Sequence, residues 1–386
     1  MKILHITQAY YPAIQWGGPI VSVRTLAKEL ARTGHEVTVY TTTFGLSTNK
    51  TSTATIDGVR VVYFRSYNVW RWHVPFGALG ALRRTMEDFD IVHLHSVWDP
   101  MIWIAGALLI GKKTCVVISP RGCIDPVLIR KRSFLLKKTL YALVVKRMFL
   151  QSAGIHFTSS FEKERFIAFT NIDAPSQITA NALDREEFQP MARADAPLPL
   201  GLENTRYFLY LGRINWKKGL ELLVGAFSKI AQDVTGVLLV IAGPDEDRYK
   251  HRIERLAVEK QLGSRMVFTG LVQGQEKVAL LRQAAALVLP SYSENFGIVV
   301  AEALAAGTPV IISHGVGISP LVVSYQAGIV VAMDEEALAR ALREILKDDA
   351  ARRAMGANGV RLVRDHFDPR AVTEKMLAFY DAVRRP

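Results

Sequence analysis

The chain has 386 residues and a formal net charge of +12, and 49% of its residues are apolar. This length and composition exclude an intrinsically disordered chain and favour two or three domains, each with a full hydrophobic core. Two cysteines are too few for a disulfide framework, and the sequence contains neither a signal-peptide pattern nor an apolar run long enough to span a membrane, so we expect a cytoplasmic protein.

Strand-like and helix-like segments alternate along the first half of the chain. KILHIT is followed by IVSVRTLAKELARTG, which ends at Gly34, and then by HEVTVYTTT, VRVVYF, DIVHLHS, TCVVIS and GIHFTS. This β-α-β order is typical of a parallel sheet. Ser159 and Ser160 precede FEKERFIAF, where an N-cap residue with early acids predicts a helix. We assign residues 1–189 to an N-terminal Rossmann-like domain.

A second series of strands and helices begins after a segment of different composition. Residues 190–204, PMARADAPLPLGLEN, are rich in Pro, Ala and Gly and lack periodicity, which predicts an interdomain linker. The strands that follow are near-continuous apolar runs, as expected where helices cover both faces of a sheet. They are RYFLYLGRI, GVLLVIAGP, RMVFTGLV, ALVLPSYSE and TPVIIS. We assign residues 205–367 to a second Rossmann-like domain.

The two halves together predict an α/β fold with two doubly wound parallel-sheet domains. In such a fold a ligand is expected in the cleft at the carboxyl ends of the strands. The chain closes with residues 368–386, which contain an amphipathic helix from Pro369 to Arg384. Its apolar face requires a packing partner, and we expect this helix to pack on the N-terminal domain.

Glu294 and Glu302 lie where a strand gives way to a helix, in SYSENFGIVVAEALAAGTPVI. Eight helical residues would separate them by about 12 Å along the axis and by about 80° around it, so two helical glutamates cannot bind one atom. With Glu294 in a loop and a helix that begins near Phe296 and Gly297, the carboxylates instead contact different parts of an extended ligand. A phosphate between them is favoured at the helix N-terminus, where free N–H groups and the helix dipole stabilise negative charge.

The segment from Glu294 to Glu302 resembles the signature of retaining glycosyltransferases of the GT-B fold, in the group called glycosyltransferase family 4. Three other segments extend the likeness over most of the chain. YLGRINWKKG resembles the phosphate-binding segment of the family, GHEVTVYT its second N-terminal strand, and IAGP its turn near the nucleotide. The resemblance implies two facing Rossmann-like domains, the first of which binds the acceptor and the second a nucleotide sugar.

Position by position, the resemblance implies that Glu302 accepts hydrogen bonds from the ribose and Glu294 from the donor sugar. Arg213 and Lys218 match the cations that hold the diphosphate, and they suit a leaving group on which negative charge develops. Glu294, Arg213 and Lys218 are therefore the candidate catalytic residues. The other implied donor-binding positions are Gly17, Gly18, Gly243, Leu271, Val272, Phe296, Gly297 and Ile298.

The first domain contains weaker candidates for acceptor binding. Several family members have a histidine after the strand that corresponds to TCVVIS, whereas this chain has SPRGCIDP with Arg121. Arg121 either contacts an acceptor phosphate or is an exposed loop cation, and both interpretations stay open. His93 and His95 alternate along a strand end, so we expect His93 in the core and His95 at the acceptor. Without a third ligand at helix or hairpin spacing, they predict no metal site.

A basic segment bears on where the protein acts. Residues 130–150, RKRSFLLKKTLYALVVKRMFL, combine seven Lys and Arg residues with a continuous apolar component. Segments of this kind lie on anionic membrane surfaces, although an ordinary helix with a solvated basic side has the same pattern. We hypothesise peripheral attachment to the inner face of the cell membrane and a lipid-linked acceptor.

The resemblance implies transfer of a hexose-type sugar from a nucleoside diphosphate sugar to a saccharide acceptor, with retention at the anomeric carbon, in cell-surface polysaccharide or glycan synthesis. No metal or other cofactor is implied, because cationic side chains take the place of a metal at the diphosphate. Two alternatives stay open: a nucleotide-sugar epimerase or hydrolase of the same fold, and a non-catalytic nucleotide-sugar-binding subunit. Specific nucleic-acid binding is disfavoured, because the chain has no recognition-helix motif, zinc-ligand spacing or aromatic RNA-binding signature.

Overall fold

The computed structural model describes residues 1–384 except residues 15–16, 71, 110–111, 113, 126–133, 185–187, 189–201, 204 and 247. The chain divides into two compact units. The first consists of Met1–Ala182 together with Pro369–Pro386, and the second consists of Leu183–Asp368. Of the predicted linker, 190–204, only residues 202–203 lie within the described part of the chain.

The first unit ends at Ala182, ahead of the predicted end of the first domain at residue 189. The N–H of Leu183 donates to the carbonyl of Phe367 at 2.9 Å, and Arg282 donates to the carbonyl of Phe188 at 2.6 Å. Leu183 and Phe188 are both buried. These long-range contacts attach the segment to the second unit, and composition alone does not reveal them.

The described residues of the first unit include ten strands, β1 to β10 in chain order. They are Lys2–Ile6, Glu36–Thr42, Ser52–Ile56, Val59–Phe64, Tyr67–Val69, Trp72–Val74, Ile91–His95, Cys115–Ser119, Gly154–Phe157 and Ser176–Ile178. Eight of them form one sheet in the order β10-β9-β8-β7-β1-β2-β4-β3, which is parallel apart from the β3–β4 pair. Strands β5 and β6 form a separate antiparallel hairpin. The central parallel strands are buried and mostly apolar, but they also contain buried polar residues, among them His5, Thr38 and His93.

Six helices, α1 to α6, accompany these strands in the described part of the unit. They are Gly18–Arg32, Phe76–Thr85, Pro100–Leu109, Phe134–Leu140, Lys146–Gln151 and Ser160–Thr170. A π-helical turn, Tyr141–Val145, joins α4 to α5, and a 3-10 turn, Met86–Asp88, follows α2. Ser159 caps α6 as predicted, because its side chain accepts a hydrogen bond from the N–H of Glu162 at 3.1 Å.

Helix α3 contains residues 101–109 of the apolar run 101–111, and it packs in the core. Residues 110–111 of the run lie outside the described residues. Met101, Ile102 and Ala105 of this helix are fully buried. No helix among the described residues combines the length and the apolar character that crossing a membrane requires.

The second unit contains a six-stranded parallel sheet. In its described residues the strands, β11 to β16, are Arg206–Leu211, Val237–Ala242, Met266–Gly270, Ala286–Leu289, Val310–Ser313 and Gly328–Val331. The helices, α7 to α13, are Leu220–Ala231, Lys250–Glu259, Gly274–Gln283, Ile298–Ala305, Ser319–Tyr325, Glu335–Lys347 and Asp349–His366. Short 3-10 turns span Trp216–Lys218 and Gly263–Arg265. The strand order is β13-β12-β11-β14-β15-β16.

Each large sheet has a point at which the strand order reverses. In the first unit β1 lies between β2 and β7, and in the second β11 lies between β12 and β14. At such a point the connections leave the carboxyl ends of neighbouring strands toward opposite faces, and α/β proteins bind ligands in the crevice that results. The loops after β1, β7, β11 and β14 are therefore the places where the fold favours a site.

The last helix, α14 (Pro369–Arg384), belongs to the first unit. Its apolar residues Met376, Phe379 and Tyr380 pack in the same core as residues of β1, β2 and α1. Gly154 of β9 makes this approach possible, since a Cβ there would lie 2.6 Å from the ring of Phe379. The hydroxyl of Tyr380 is also hydrogen-bonded to Nδ1 of His93 at 2.6 Å.

Replacing Phe379 with Ala should lower the free energy of unfolding of the first unit by about 3 to 5 kcal/mol, because it removes a buried ring and leaves a cavity. Glu374→Ala, an exposed position on the same helix, is the matched control and should have little effect. Denaturant titration followed by circular dichroism measures both variants. Equal stability of the two would show that α14 does not stabilise this unit.

Candidate functional site

The loop after β11 places a lysine directly against the loop after β14. Gly219 has a φ of 69°, and a Cβ there would lie 2.0 Å from the carbonyl oxygen of Pro290, so only glycine fits. The N–H of Tyr292 donates to the carbonyl of Lys217 at 2.9 Å. These contacts bring the ammonium of Lys218 onto the carboxylate of Glu294, with which it forms an ion pair.

Glu294 is held by its backbone as well as by this ion pair. Its N–H donates to the carbonyl of Gly315, and its own carbonyl accepts from the N–H of Gly317, each at 2.8 Å. Burial raises the pKa of the Glu294 carboxyl, but the positive charges of Lys218, Lys217 and Arg213 outweigh burial and leave the pKa below its ordinary value. Glu294 is therefore ionised at neutral pH.

Helix α10 begins at Ile298 after the αL residue Gly297, so Glu294 lies in the loop and Glu302 in the helix, as the sequence analysis expects. Gly297 has a φ of 86°, and a Cβ there would lie 2.9 Å from Val316. The side chain of Phe296 is buried against Phe367, with ring centroids 5.2 Å apart, so only the backbone of Phe296 faces the turn.

Glu302 is buried and forms an ion pair of 2.9 Å with Lys277 of α9. The sequence analysis missed Lys277, because a single lysine in the first turns of a helix does not differ locally from a solvated cation. Its role depends on the packing of α9 beside α10, which brings its ammonium to the carboxylate. A buried carboxylate without such a partner would be strongly unfavourable.

Arg213 also follows β11, but it lies on a more exposed part of the site. Its guanidinium forms an ion pair of 3.1 Å with Glu246, and the side-chain amide of Asn215 donates to the same carboxylate at 2.6 Å. Asn215 in turn caps the 3-10 turn that carries Lys218, because its side-chain oxygen accepts from the N–H of Lys217 at 3.0 Å. Asn215 and Glu246 are further residues that sequence reasoning did not identify.

The other second-unit positions of the predicted site lie at the carboxyl ends of β12 and β13. The N–H of Gly243 donates to the carbonyl of Gly270 at 2.7 Å, and a Cβ on Gly243 would lie 2.0 Å from the carbonyl of Gly212. Val272 is buried, whereas Leu271 is 50% exposed. Of these two apolar side chains, Leu271 therefore has the surface that a ligand can contact.

In the first unit, Gly17 and Gly18 stand at the start of α1. Gly17 is the N-cap residue with a φ of 116°, and Gly18 is the first residue of the helix. Neighbouring residues 15–16 of the QWGGPI segment lie outside the described residues. Arg121 reaches the same helix, since its guanidinium donates to the hydroxyl of Ser22 at 3.3 Å.

The expectation that His93 and His95 face different surroundings is wrong. Their ring centroids are 4.1 Å apart and both side chains are buried, because residues two apart on a strand point to the same face. Nδ1 of His95 accepts a hydrogen bond from Arg121 at 3.2 Å, and Nε2 of His95 lies 2.9 Å from Nδ1 of His5. His95 is therefore part of a buried network, in which it accepts a hydrogen bond from Arg121.

A third histidine, at neither helix nor hairpin spacing in the sequence, joins this pair in the fold. His5, His93 and His95 place ring nitrogens within 4.8 Å of one another, because β1 and β7 are neighbouring parallel strands in which His5 is paired with His93. Both ring nitrogens of His93 already have partners, in Tyr380 and Ser119, and the Arg121 guanidinium beside His95 opposes a second cation. The cluster fits a neutral hydrogen-bond network better than a metal centre.

Two family models cover most of the chain. The model described as Glycosyltransferase Family 4 matches residues 16–187, and the model described as Glycosyl transferases group 1 matches residues 198–361. The gap between the two matches, residues 188–197, overlaps the predicted linker 190–204. The second match contains every predicted site residue of the second unit.

Two curated relatives and one solved structure extend this likeness. Glycogen synthase of Mycobacterium tuberculosis is 28% identical over 421 aligned residues, which cover 100% of this chain and 95% of that protein. Alpha-monoglucosyldiacylglycerol synthase of Streptococcus pneumoniae is 25% identical and covers 82% of this chain and 71% of its own length. The structure of Anabaena HepE in complex with UDP and glucose matches with a TM-score of 0.78 at 16% identity, over 99% of this chain and 100% of that one.

Replacing Lys218 with Met should raise the pKa of Glu294, because burial then acts against fewer positive charges. In the native protein the lowered pKa stabilises the fold above the unfolded pKa of a glutamate, and this contribution is lost as the pH falls through the native pKa. We expect the variant to lose about 1 to 3 kcal/mol of unfolding free energy at pH 7 and less at pH 4.

Denaturant unfolding at both pH values measures this loss. Lys229→Met is the control, since it removes a lysine from an exposed ion pair with Glu336 and should change stability little at either pH. A loss that is the same at pH 4 and pH 7 would contradict the coupling between Lys218 and Glu294.

Proposed function

Because the chain belongs to the group 1 glycosyltransferases and has their GT-B fold, we propose that its second unit binds a nucleoside diphosphate sugar and that the enzyme transfers a hexose from it to a saccharide acceptor. The observation that carries the proposal is the ion pair of Lys218 with Glu294 at the point where the strand order of the second sheet reverses. There a carboxylate, two neighbouring lysines and a helix N-terminus converge on one crevice.

The cations of this crevice suit a diphosphate. Arg213, Lys217 and Lys218 follow β11, and all three act electrostatically on Glu294. They can stabilise the charge that develops on the departing nucleoside diphosphate, so the reaction does not require a metal. The binding of UDP and glucose by Anabaena HepE supports a donor of this class.

The two acids suit hydroxyl groups. Glu294 is held ionised, and an ionised carboxylate accepts hydrogen bonds from sugar hydroxyls. Glu302 lies one helix turn or more further along α10, and we assign it to the ribose hydroxyls. We assign Leu271 to contact with the base. Because neither acid is then available as a nucleophile, we propose transfer with retention by attack from the leaving-group side. The new bond joins the acceptor oxygen to the anomeric carbon, the bond from that carbon to the phosphate oxygen breaks, and the departing phosphate takes the acceptor proton.

Glu302→Ala should abolish most of the thermal stabilisation that the preferred nucleotide gives. Wild type and variant are heated with UDP, GDP or ADP, each with magnesium and with EDTA. We expect one nucleotide to raise the Tm of the wild type equally in both conditions. No shift with any nucleotide, or a shift that EDTA removes, contradicts the proposed metal-free donor site.

Glu294→Gln should lower kcat by about 100-fold or more, as loss of an interaction made with the reacting sugar does. Glu336→Gln is the matched control, because it removes the same charge from an exposed ion pair on α12. Release of nucleotide is measured with and without acceptor. Equal release of nucleotide without acceptor would favour a hydrolase, and conversion of the donor without release of nucleotide would favour an epimerase. Full activity of Glu294→Gln would contradict the assignment.

We also propose that the first unit attaches to an anionic membrane surface and that the acceptor is lipid-linked. The face formed by Leu143, Lys146, Arg147 and Leu150 repeats at helical spacing and is exposed, whereas Val145 and Phe149 are buried on the other side. Exposed leucines on either side of a pair of basic residues suit the boundary between lipid headgroups and acyl chains. The diacylglycerol named in the Streptococcus pneumoniae relative supports an acceptor of this kind. Residues 130–133 of the predicted basic segment lie outside the described residues.

In liposome flotation, the wild type should float with vesicles that contain phosphatidylglycerol and not with neutral vesicles, and 0.5 M salt should release it. Lys146→Gln with Arg147→Gln should reduce the bound fraction about tenfold or more, because each basic residue near the surface contributes about 1 kcal/mol. Val258→Asp, at an exposed apolar position of α8, is the control. Equal flotation with neutral vesicles would exclude the proposed surface.

A further inference from the structure

The positively charged side chain of Arg121, in the first unit, donates hydrogen bonds to neutral side chains. It follows β8 with a φ of 55°, and its guanidinium donates to Asn181 at 2.5 Å, to Ser22 at 3.3 Å and to His95 at 3.2 Å. Its Nε is buried and has no hydrogen-bond partner among the described residues. The side chain is therefore fixed in position and retains an unused donor.

No carboxylate among the described residues forms an ion pair with Arg121. Glu162 acts on it electrostatically, but the Glu162 carboxylate is occupied by the N–H of Gly122 at 2.6 Å and by the N–H and hydroxyl of Thr158 at 2.7 and 2.9 Å. Burial lowers the pKa of Arg121 to about 10, which still leaves it protonated at neutral pH. A half-buried cation without a paired anion is unfavourable, and a bound anion would relieve the cost.

The histidines hold Arg121 without neutralising it. Since the guanidinium can only donate, Nδ1 of His95 accepts, and Nε2 of His95 then carries the proton that it donates to His5. Burial first, and the charge of Arg121 second, lower the pKa of His5 to about 3, and burial keeps the pKa of His95 well below its ordinary value. Both rings are therefore neutral, and they orient the guanidinium.

The surroundings of Arg121 add positive potential. Ser22 lies in the second turn of α1, whose first turn contains no acidic residue, so the positive end of the helix dipole is uncompensated there by a side chain of the helix. Arg121 and His95 lie at the carboxyl ends of β8 and β7, beside the point where the strand order of the first sheet reverses. This is where the fold favours a ligand.

We propose that Arg121, oriented by His95 and His5, binds a phosphate group of the acceptor. The planar guanidinium suits the bidentate geometry of phosphate. The inference rests on the proposed function, in which Arg213, Lys217 and Lys218 of the second unit hold the donor diphosphate and leave Arg121 for a second anion. The phosphate belongs either to a soluble sugar phosphate or to a lipid-linked sugar, and the chemistry at Arg121 is the same.

The first test titrates inorganic phosphate into the full-length Lys218→Gln variant and follows the binding by calorimetry. This variant lacks one of the cations assigned to the donor diphosphate, so it binds phosphate more weakly at that site. Adding Arg121→Gln should weaken phosphate binding about tenfold or more, whereas adding Arg121→Lys should restore part of it, because the charge is retained. Unchanged nucleotide binding by Arg121→Gln alone shows that the fold is intact. Phosphate binding that is equal with and without Arg121 overturns the inference.

The second test compares transfer to free sugars, to their phosphates and to isoprenoid-phosphate-linked sugars in vesicles. Arg121→Gln should raise the KM for the phosphate-bearing acceptor at least tenfold and leave the donor KM unchanged, and His95→Gln should raise the acceptor KM with little change in kcat. Preference for the soluble or for the lipid-linked phosphate supports the inference and identifies the source. Equal KM values of wild type and Arg121→Gln for the phosphate-bearing acceptors overturn the inference. Absence of nucleotide binding with intact Arg121-dependent phosphate binding overturns only the proposed donor site.

Discussion

The candidate donor site depends on the pairing of β11 with β14 at the centre of the second sheet. Because these strands are parallel neighbours, the loops after them leave the sheet at the same edge. Gly219 allows one loop to lie against the carbonyl of Pro290, and only this close approach brings Lys218 to Glu294. The ion pair compensates for the cost of burying the carboxylate and keeps it ionised, which is the state that accepts hydrogen bonds from hydroxyl groups.

The two units manage buried charge in different ways. In the second unit, Glu294 and Glu302 each have a lysine partner, so the site is close to electrically balanced before a ligand enters. In the first unit, Arg121 donates hydrogen bonds to neutral side chains and forms no ion pair with a carboxylate among the described residues. A balanced site can exchange its internal ion pairs for contacts with a polar ligand, whereas an unbalanced cation selects an anion. This difference in electrostatics suits the proposal that the second unit binds the donor and the first unit binds the acceptor.

Much of the second unit was predictable from local sequence. Apolar runs between turn residues identified its strands, and the position of Gly297 set the start of α10, with Glu294 in the loop and Glu302 in the helix. Lys277, Asn215 and Glu246 were not predictable, because their contacts depend on which helices and loops become neighbours. In the first unit, the expectation that His93 and His95 face different surroundings fails, because residues two apart on a strand share a face. The participation of His5 was hidden because 88 residues separate it from His93.

The sequence by itself determined the alternation of strands and helices, the buried faces, and the residue types available for a phosphate-binding site, since these follow from local periodicity and from the chemistry of glycine, lysine and glutamate. Only the tertiary structure decided which charges meet. The order of strands in each sheet joins Lys218 to Glu294, packs α14 into the first unit and places Arg121 against His95. The physical reason is that ion pairs and hydrogen bonds act over a few ångströms in space, whereas the residues that make them are distant in the chain.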